Sequence, residues 1–312
     1  MSIEQQIEKL IGEERYEEAL SLCETVNDTY QKSHVIRVQN ARALHELYRY
    51  EEALEIIKTL DPSEESLITE AAIIIDWVSD FYYKNCDAPP YEIPVFINKA
   101  INICDRLIAG NTPYKLDAMY YKANALSAIS EKTAYRLLLH EVIDSSPSDI
   151  HHLLARTTIN LGNSYIEEGR YVEAIELYEK AVRRMPDFSM GWSGFGTGLS
   201  HAFYYSGREE SCLLHMALFC FYRAEELVDR RKIRYAKAAE NGLKYVLGGY
   251  KEKPKKEDIT EWNPIAEKGK CATKENAAFE EFFYSIALNE TLFLNLCLGC
   301  RKDDSYLLDK FL

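Results

Sequence analysis

Apolar residues recur along most of this chain at the spacing of an amphipathic helix. Ala19, Leu20, Cys23 and Val26 follow one another at i, i+1, i+4 and i+7, and residues 48–62 repeat the pattern. This spacing keeps one face of a helix apolar, because an α-helix has about 3.6 residues per turn. The pattern therefore predicts short helices with one buried face each.

Residues 155–188 join two such helices through a specific order of small and large side chains. Gly162 and Ala174 are small where two antiparallel helices must approach closely, and Tyr178 fills the space beside them. Pro186 ends the second helix because proline cannot donate to the helical hydrogen-bond ladder. This order resembles the tetratricopeptide repeat, a helix–turn–helix unit of about 34 residues.

Partial copies of the same hairpin lie on both sides of this repeat. They cover residues 14–26, 34–62, 63–109 and 113–143, and an expanded copy begins near Trp192. A helix over 67–83 is expected to be buried on most sides, and Pro89, Pro90 and Pro94 are expected to break the chain before a helix over 97–109.

The pattern predicts an all-α fold, an α-solenoid of roughly 12 to 14 helices stacked as antiparallel hairpins in a right-handed superhelix. The helical array is predicted over residues 1–249. A charged linker or loop follows at 250–276, and capping helices at 277–312.

The amino-acid composition narrows the classes of molecule that this protein is expected to bind. The net charge of −13 disfavours long-range attraction to nucleic acid, although a basic cluster of five residues could contact RNA or an acidic helix instead of being a solvated face. That cluster is Arg230, Arg231, Lys232, Arg234 and Lys237. No apolar run is long enough to cross a membrane, the N-terminus lacks a signal-peptide pattern, and the eight scattered cysteines suit a reduced, cytoplasmic protein.

Residues at positions 2, 5 and 9 of the repeats are the candidate binding residues, because the first helices line the concave face of such an array at these positions. Asparagine at position 9 of a repeat offers both a donor and an acceptor to a peptide backbone. We expect contact with a protein or peptide partner, the alternative being that the asparagines only brace the neighbouring repeat. The candidate residues are Arg42, Tyr120, Asn124, Arg156, Asn163 and Thr197.

Two other patterns could carry chemistry. Arg208 and His215 have the spacing of a HEPN-type ribonuclease pair, but they lie within a repeat hairpin, which favours a structural arginine and a helix-face histidine. Cys297 and Cys300 form a lone CxxC without further zinc ligands nearby, so buried thiols are expected. No metal or cofactor is predicted.

Residues 159–299 resemble a bacterial family in which a tetratricopeptide array precedes a HEPN domain. The resemblance depends on Asn160–Asn163, Gly169–Ile175 and Pro186–Gly191, and continues into Leu292–Asn295. It implies a defence or toxin-related context. The chain departs from the family where the nuclease domain would continue, so the resemblance does not imply that this polypeptide cuts RNA.

Three hypotheses of function follow. The first is a non-enzymatic scaffold that binds a protein partner in its groove, or binds its own 251–312 segment there. The second is a HEPN-like endoribonuclease using Arg208 and His215. The third is a regulator that senses a peptide or nucleotide and switches a partner enzyme, and homo-oligomers are left open.

Overall fold

The computed structural model of the chain describes residues 2–13, 15–25, 33–82, 86–89, 92–110, 112–147, 150–205, 212–227 and 233–248. Within these ranges all regular secondary structure is helical, which confirms the predicted all-α fold. The chain divides into unit 1, Met1–Ser146, and unit 2, Pro147–Leu312. Unit 1 contains α1 (Ile3–Gly12), α2 (Tyr16–Thr25), α3 (His34–Glu46), α4 (Tyr50–Lys58), α5 (Glu64–Tyr82), α6 (Ile93–Ala109), α7 (Lys115–Ala128) and α8 (Lys132–Ser145). Unit 2 contains α9 (His151–Glu167), α10 (Tyr171–Arg184), α11 (Ser189–Tyr205), α12 (Cys212–Leu227) and α13 (Ile233–Gly248).

The two helices of the third hairpin begin earlier than the sequence pattern predicts. The Ser63 hydroxyl accepts a hydrogen bond from the Ser66 backbone N–H, and this cap lets α5 begin at Glu64 rather than at Leu67. Pro94 does not break the chain as expected, because it lies in the first turn of α6. The missing proline N–H has no helical partner at that position, and its fixed φ suits the helix.

Three hairpins of the array share one turn geometry. The second residue after the first helix has a positive φ, and the next residue's N–H donates to a carbonyl oxygen five positions back at 2.9 Å. This pattern is the Schellman termination of a helix. The left-handed residues are Tyr48, Ser130 and Gly169, with φ of 62°, 66° and 77°. Glycine adopts this conformation readily, as at Gly169, whereas Tyr48 and Ser130 adopt it without that freedom.

Unit 1 is organised around α5, whose side chains are buried on most sides as predicted. Ile73, Ile74 and Val78 are fully buried, and each such side chain contributes about 1.5–3 kcal/mol. The same helix also buries Asp80, whose carboxylate accepts a hydrogen bond from the Tyr50 hydroxyl of α4.

Unit 2 is organised around the fully buried ring of Tyr178 on α10. Gly162 of α9 and Gly194 of α11 face this ring from two sides. A Cβ at Gly194 would lie 2.5 Å from Tyr178 Cε1, and one at Gly162 would lie 2.8 Å from the same atom. The close helix approach predicted for residues 155–188 is therefore confirmed, and the ring contacts the following hairpin as well.

The turn between α10 and α11 is closed by a side chain of the next helix. The Trp192 indole N–H donates to the Pro186 carbonyl oxygen at 2.7 Å, directly after α10 ends at Arg184. The predicted linker at 250–276 and capping helices at 277–312 lie outside the described residues, and the predicted array boundary at 249 stays a prediction.

Candidate functional site: the first helices of unit 2

The unit 1 candidates lie on α3 and α7, and each either contacts another side chain or is at least partly buried. Arg42 of α3 lies 3.7 Å from Glu65 of α5 (Nη1 to Oε1). Tyr120 of α7 is only 4% exposed and packs edge-on against Tyr121, so its ring contributes to packing rather than to a surface. Asn124 is half-buried. The structure therefore does not present these three as a continuous exposed row.

Arg42 nevertheless remains accessible on α3. Its side chain is 43% exposed, and an ion pair at such a site contributes only about 0–1 kcal/mol. Glu65 also lies close to the phenol of Tyr114, at the start of α7, and burial together with this carboxylate raises the pKa of Tyr114. Arg42, Glu65 and Tyr114 therefore bring the beginnings of α5 and α7 close to α3.

Asn163 is the candidate that the structure presents most clearly. It is exposed on α9, and its Oδ1 accepts a hydrogen bond from the Tyr178 hydroxyl at 2.7 Å. Burial raises the pKa of Tyr178, which keeps the phenol protonated and fixes it as the donor. The Asn163 amide is therefore held by its oxygen, and its NH₂ group remains as the donor on the exposed side.

Arg156 and Thr197 accompany Asn163 on the first helices of unit 2. Arg156 is half-buried on α9, two helical turns before Asn163, and thus about 10 Å away along the axis. Thr197 is half-buried on α11, which packs directly on α9. Its hydroxyl donates to the Ser193 carbonyl at 2.9 Å, so its oxygen keeps only acceptor capacity for a ligand.

An aromatic group that the sequence analysis did not single out lies beside Thr197. The His201 ring stacks on Tyr171 with centroids 5.6 Å apart and planes 4° apart, and it lies 6.3 Å from the Tyr245 ring of α13. Tyr204 packs edge-on against Tyr245 at 4.9 Å. Burial lowers the pKa of His201, so this ring is neutral at pH 7.

Tyr245 occupies the position on α13 that Thr197 occupies on α11. A Cβ at Gly194 would meet the ring of Tyr178, and a Cβ at Gly242 would meet Phe221 in the same way. Three residues after each glycine come Thr197 and Tyr245. The glycine spacing was the signal that could have identified Tyr245, which is 51% exposed.

We call Asn163, Thr197, His201 and Tyr245 the first-helix face of unit 2. Helix α11 packs on both α9 and α13, so these residues belong to three adjacent first helices. They offer an amide donor, a hydroxyl acceptor, a neutral imidazole and an exposed phenol. Such groups suit an extended peptide, whose backbone needs donors and acceptors and whose side chains pack on aromatic rings.

The remaining sequence candidates lie outside the described part of the chain. They are Arg208, the side chain of His215, residues 230–232, the side chains of Arg234 and Lys237, and the CxxC at 297–300. Among the residues that are described, no His, Cys, Asp or Glu cluster could hold a metal ion. No described helix is long and apolar enough to cross a membrane.

Comparison with protein families identifies the repeats. Two tetratricopeptide-repeat models match the chain, one over residues 155–188 and the other over residues 10–66. The first coincides with the α9–α10 hairpin around Tyr178, and the second runs from the end of α1 through α2, α3 and α4 to the start of α5. The chain thus contains tetratricopeptide repeats, a class of helical hairpin that generally forms scaffolds for protein or peptide partners rather than catalytic sites.

Similar solved structures are also repeat proteins, at low identity. The C-terminal part of a tetratricopeptide-repeat protein from Cytophaga hutchinsonii is 13% identical, with 99% of each chain covered and a TM-score of 0.40. YrrB, described as having an unusual peptide-binding site, is 14% identical over 68% of this chain and 93% of its own, with a TM-score of 0.34. A human IFIT1 dimer with PPP-AAAA is 14% identical over 97% of this chain and 73% of its own, with a TM-score of 0.49.

Likenesses at these TM-scores do not establish a shared function. No curated protein sequence matches the chain. None of the comparisons concerns the HEPN resemblance, the bacterial origin or the cytoplasmic location, and these stay predictions.

Proposed function

We propose that this protein is a non-enzymatic interaction module that binds an extended segment of a protein partner along the first-helix face of unit 2. The main support for this proposal is the Asn163 amide. Its oxygen accepts a hydrogen bond from the buried Tyr178 hydroxyl, while its NH₂ group stays exposed. An amide fixed in this way is ready to donate to a peptide carbonyl without losing side-chain freedom on binding.

Neighbouring residues extend this contact beyond one hydrogen bond. The acceptor oxygen of Thr197 suits a peptide N–H, and the exposed Tyr245 ring beside His201 suits an apolar or aromatic side chain of the partner. Arg156, on the same helix as Asn163, is proposed as a contact at the other end. In unit 1, Arg42 and Asn124 are proposed as secondary contacts, whereas the buried Tyr120 is not.

The alternative, that Asn163 only braces the repeat, has a direct test. Asn163→Asp keeps the oxygen that Tyr178 needs and removes the NH₂ donor, whereas Asn163→Ala removes both. We expect Asn163→Asp to weaken partner binding about tenfold, the effect of one hydrogen bond worth about 1.4 kcal/mol, with little change in melting temperature. Asn163→Ala should weaken binding and also lower the melting temperature.

The partner is first captured from the native host and identified by mass spectrometry. Overlapping peptides from that partner are then measured by fluorescence anisotropy. Lys180→Ala, at an exposed position on the second helix α10, is the control and should bind like the wild type. If Asn163→Asp binds as the wild type does while Asn163→Ala loses stability, the asparagine is only a brace and the proposed contact is wrong.

The regulatory and defence roles implied by the family resemblance would be roles of this partner. An operon neighbour or a captured nuclease would supply the effector, and the module would position or restrain it. A purified-protein RNA-cleavage assay with Arg208→Ala tests the ribonuclease alternative directly. Cleavage that this variant abolishes would replace the scaffold proposal.

A further inference from the structure

A second candidate site lies in unit 1, on the outer face of α6. Val95, Asn98, Asn102 and Arg106 follow one another at intervals of three or four residues, and we call them the α6 stripe. Together with Leu67, Lys99 and Ile103 they line an open groove of about 650 Å³ between α5 and α6. The Val95 side chain is 63% exposed and, with Leu67, provides an apolar part of the groove.

The composition of this stripe differs from the outer faces of α2 and α4, the two preceding second helices of unit 1. α2 exposes Glu17, Glu18 and Glu24, and α4 exposes three glutamates in the same way. Among the exposed residues of α6 the only acid is Asp105, whose carboxylate pairs with Lys122 of α7. An ordinary solvated face of this acidic chain would carry glutamates, so a cationic and amide-rich face is a departure.

The groups along the stripe are available to a ligand. In the part of the chain that the structure describes, Arg106 has no carboxylate partner and the amides of Asn98 and Asn102 make no hydrogen bond to other residues. Lys99 pairs with Glu70 of α5, yet its side chain remains 48% exposed. The described residues that line the groove therefore include no acid, and Arg106 supplies its uncompensated positive charge because Glu70 neutralises Lys99.

The spacing of the stripe matches an extended polypeptide. Asn98, Asn102 and Arg106 are each four residues apart, which places them about 6 Å apart along the helix axis. Alternate residues of an extended chain are about 6.7 Å apart. Asparagine amides can pair with backbone groups at two successive sites, and an arginine can bind a carboxylate through two parallel hydrogen bonds.

We propose that the α6 stripe is a second docking site, which takes an extended acidic peptide segment of a partner protein. Asn98 and Asn102 hydrogen-bond to its backbone, and Arg106 binds a glutamate or aspartate side chain with support from Lys99. Val95 and Leu67 contact a small apolar residue between the acidic ones. This site is separate from the first-helix face of unit 2 and does not depend on it.

The test uses the full chain and two labelled, terminally blocked eight-residue peptides. One alternates glutamate with alanine, and the other alternates glutamine with alanine. We expect the glutamate peptide to bind at least about tenfold more tightly, with binding weakened as NaCl rises from about 50 to about 500 mM. Arg106→Gln should remove that preference, and Asn98→Ala combined with Asn102→Ala should weaken binding of both peptides.

Matched controls separate binding at the α6 stripe from a general attraction of acidic peptides to exposed arginines. Arg184→Gln removes an exposed arginine from α10 of unit 2 and should leave binding of the glutamate peptide unchanged. Circular dichroism spectra should be unchanged in every variant because all these positions are exposed. Equal binding of both peptides, or equal losses in Arg106→Gln and Arg184→Gln, would overturn the proposal. Tighter binding of an eight-nucleotide single-stranded DNA that Arg106→Gln abolishes would also overturn it, in favour of a nucleic-acid site.

Discussion

The side chain of Tyr178 belongs both to the core of unit 2 and to the candidate site. Its phenol holds the Asn163 amide, while the ring edge lies against Gly162 and Gly194 on two different first helices. Gly194→Ala would bring a methyl group to 2.5 Å from Tyr178 Cε1, and the ring is fully buried. We expect this change to destabilise unit 2 by about 1–3 kcal/mol, the usual cost of overpacking a core, and to be seen as faster amide hydrogen exchange in α9–α11.

Gly248→Ala is the matched control for that substitution. Gly248 is the last residue of α13, and a Cβ there would meet nothing within 4 Å. Hydrogen exchange in α9–α11 should match the wild type in this variant. Equal exchange in Gly194→Ala would mean that the Tyr178 ring has room to move, and the amide of Asn163 would then be less firmly held than proposed.

At the helix ends, the local backbone conformation departs from what the sequence pattern predicts. Ser130 takes a left-handed conformation with φ of 66° at the end of α7, where Gly169 serves the equivalent hairpin in unit 2. A left-handed conformation costs a non-glycine residue about 1 kcal/mol or more. Ser130→Gly should therefore stabilise unit 1 by about 0.5–1 kcal/mol, measured as a raised urea midpoint.

The control for this prediction is the same substitution three residues earlier. Ser127 is exposed within α7, and glycine in a helix interior is less favourable than other residues by up to about 1 kcal/mol. Ser127→Gly should lower the midpoint while Ser130→Gly raises it. Shifts of the same sign in both variants would show that backbone strain at Ser130 does not determine the change in stability.

For the molecule as a whole, the sequence predicted the hairpins better than their surfaces. Gly162, Ala174 and Pro186 determine a hairpin locally, so the repeat could be predicted from spacing alone. Whether a candidate residue on a first helix is available depends on the helices packed beside it, as Arg42 beside Glu65 and the buried Tyr120 illustrate. Tyr245 was missed because α13 lacks the rest of the repeat motif, and the shared register is revealed by the spacing from Gly242 together with the packing of α13 against α11.

Buried cysteines in the described part of the chain can report how often each of the two units opens. Cys23 and Cys104 of unit 1 and Cys220 of unit 2 are buried free thiols. Burial raises the pKa of Cys23 to about 11 and that of Cys104 to about 12, and it also raises the pKa of Cys220. In an opened chain the pKa returns to about 8.5, so the thiolate that reacts at neutral pH comes from opened molecules.

We therefore expect maleimide labelling of Cys104 and Cys220, followed by peptide mass spectrometry, to rise about tenfold per pH unit up to about pH 8.5 and then to level off. Gly194→Ala should accelerate labelling of Cys220, because overpacking around Tyr178 makes unit 2 open more often. The unchanged wild-type sequence around Cys104 serves as the internal reference for reagent concentration. Rates that continue to rise tenfold per unit between pH 9 and about pH 11 would show that the thiols react within the folded units, which is incompatible with the burial of their side chains.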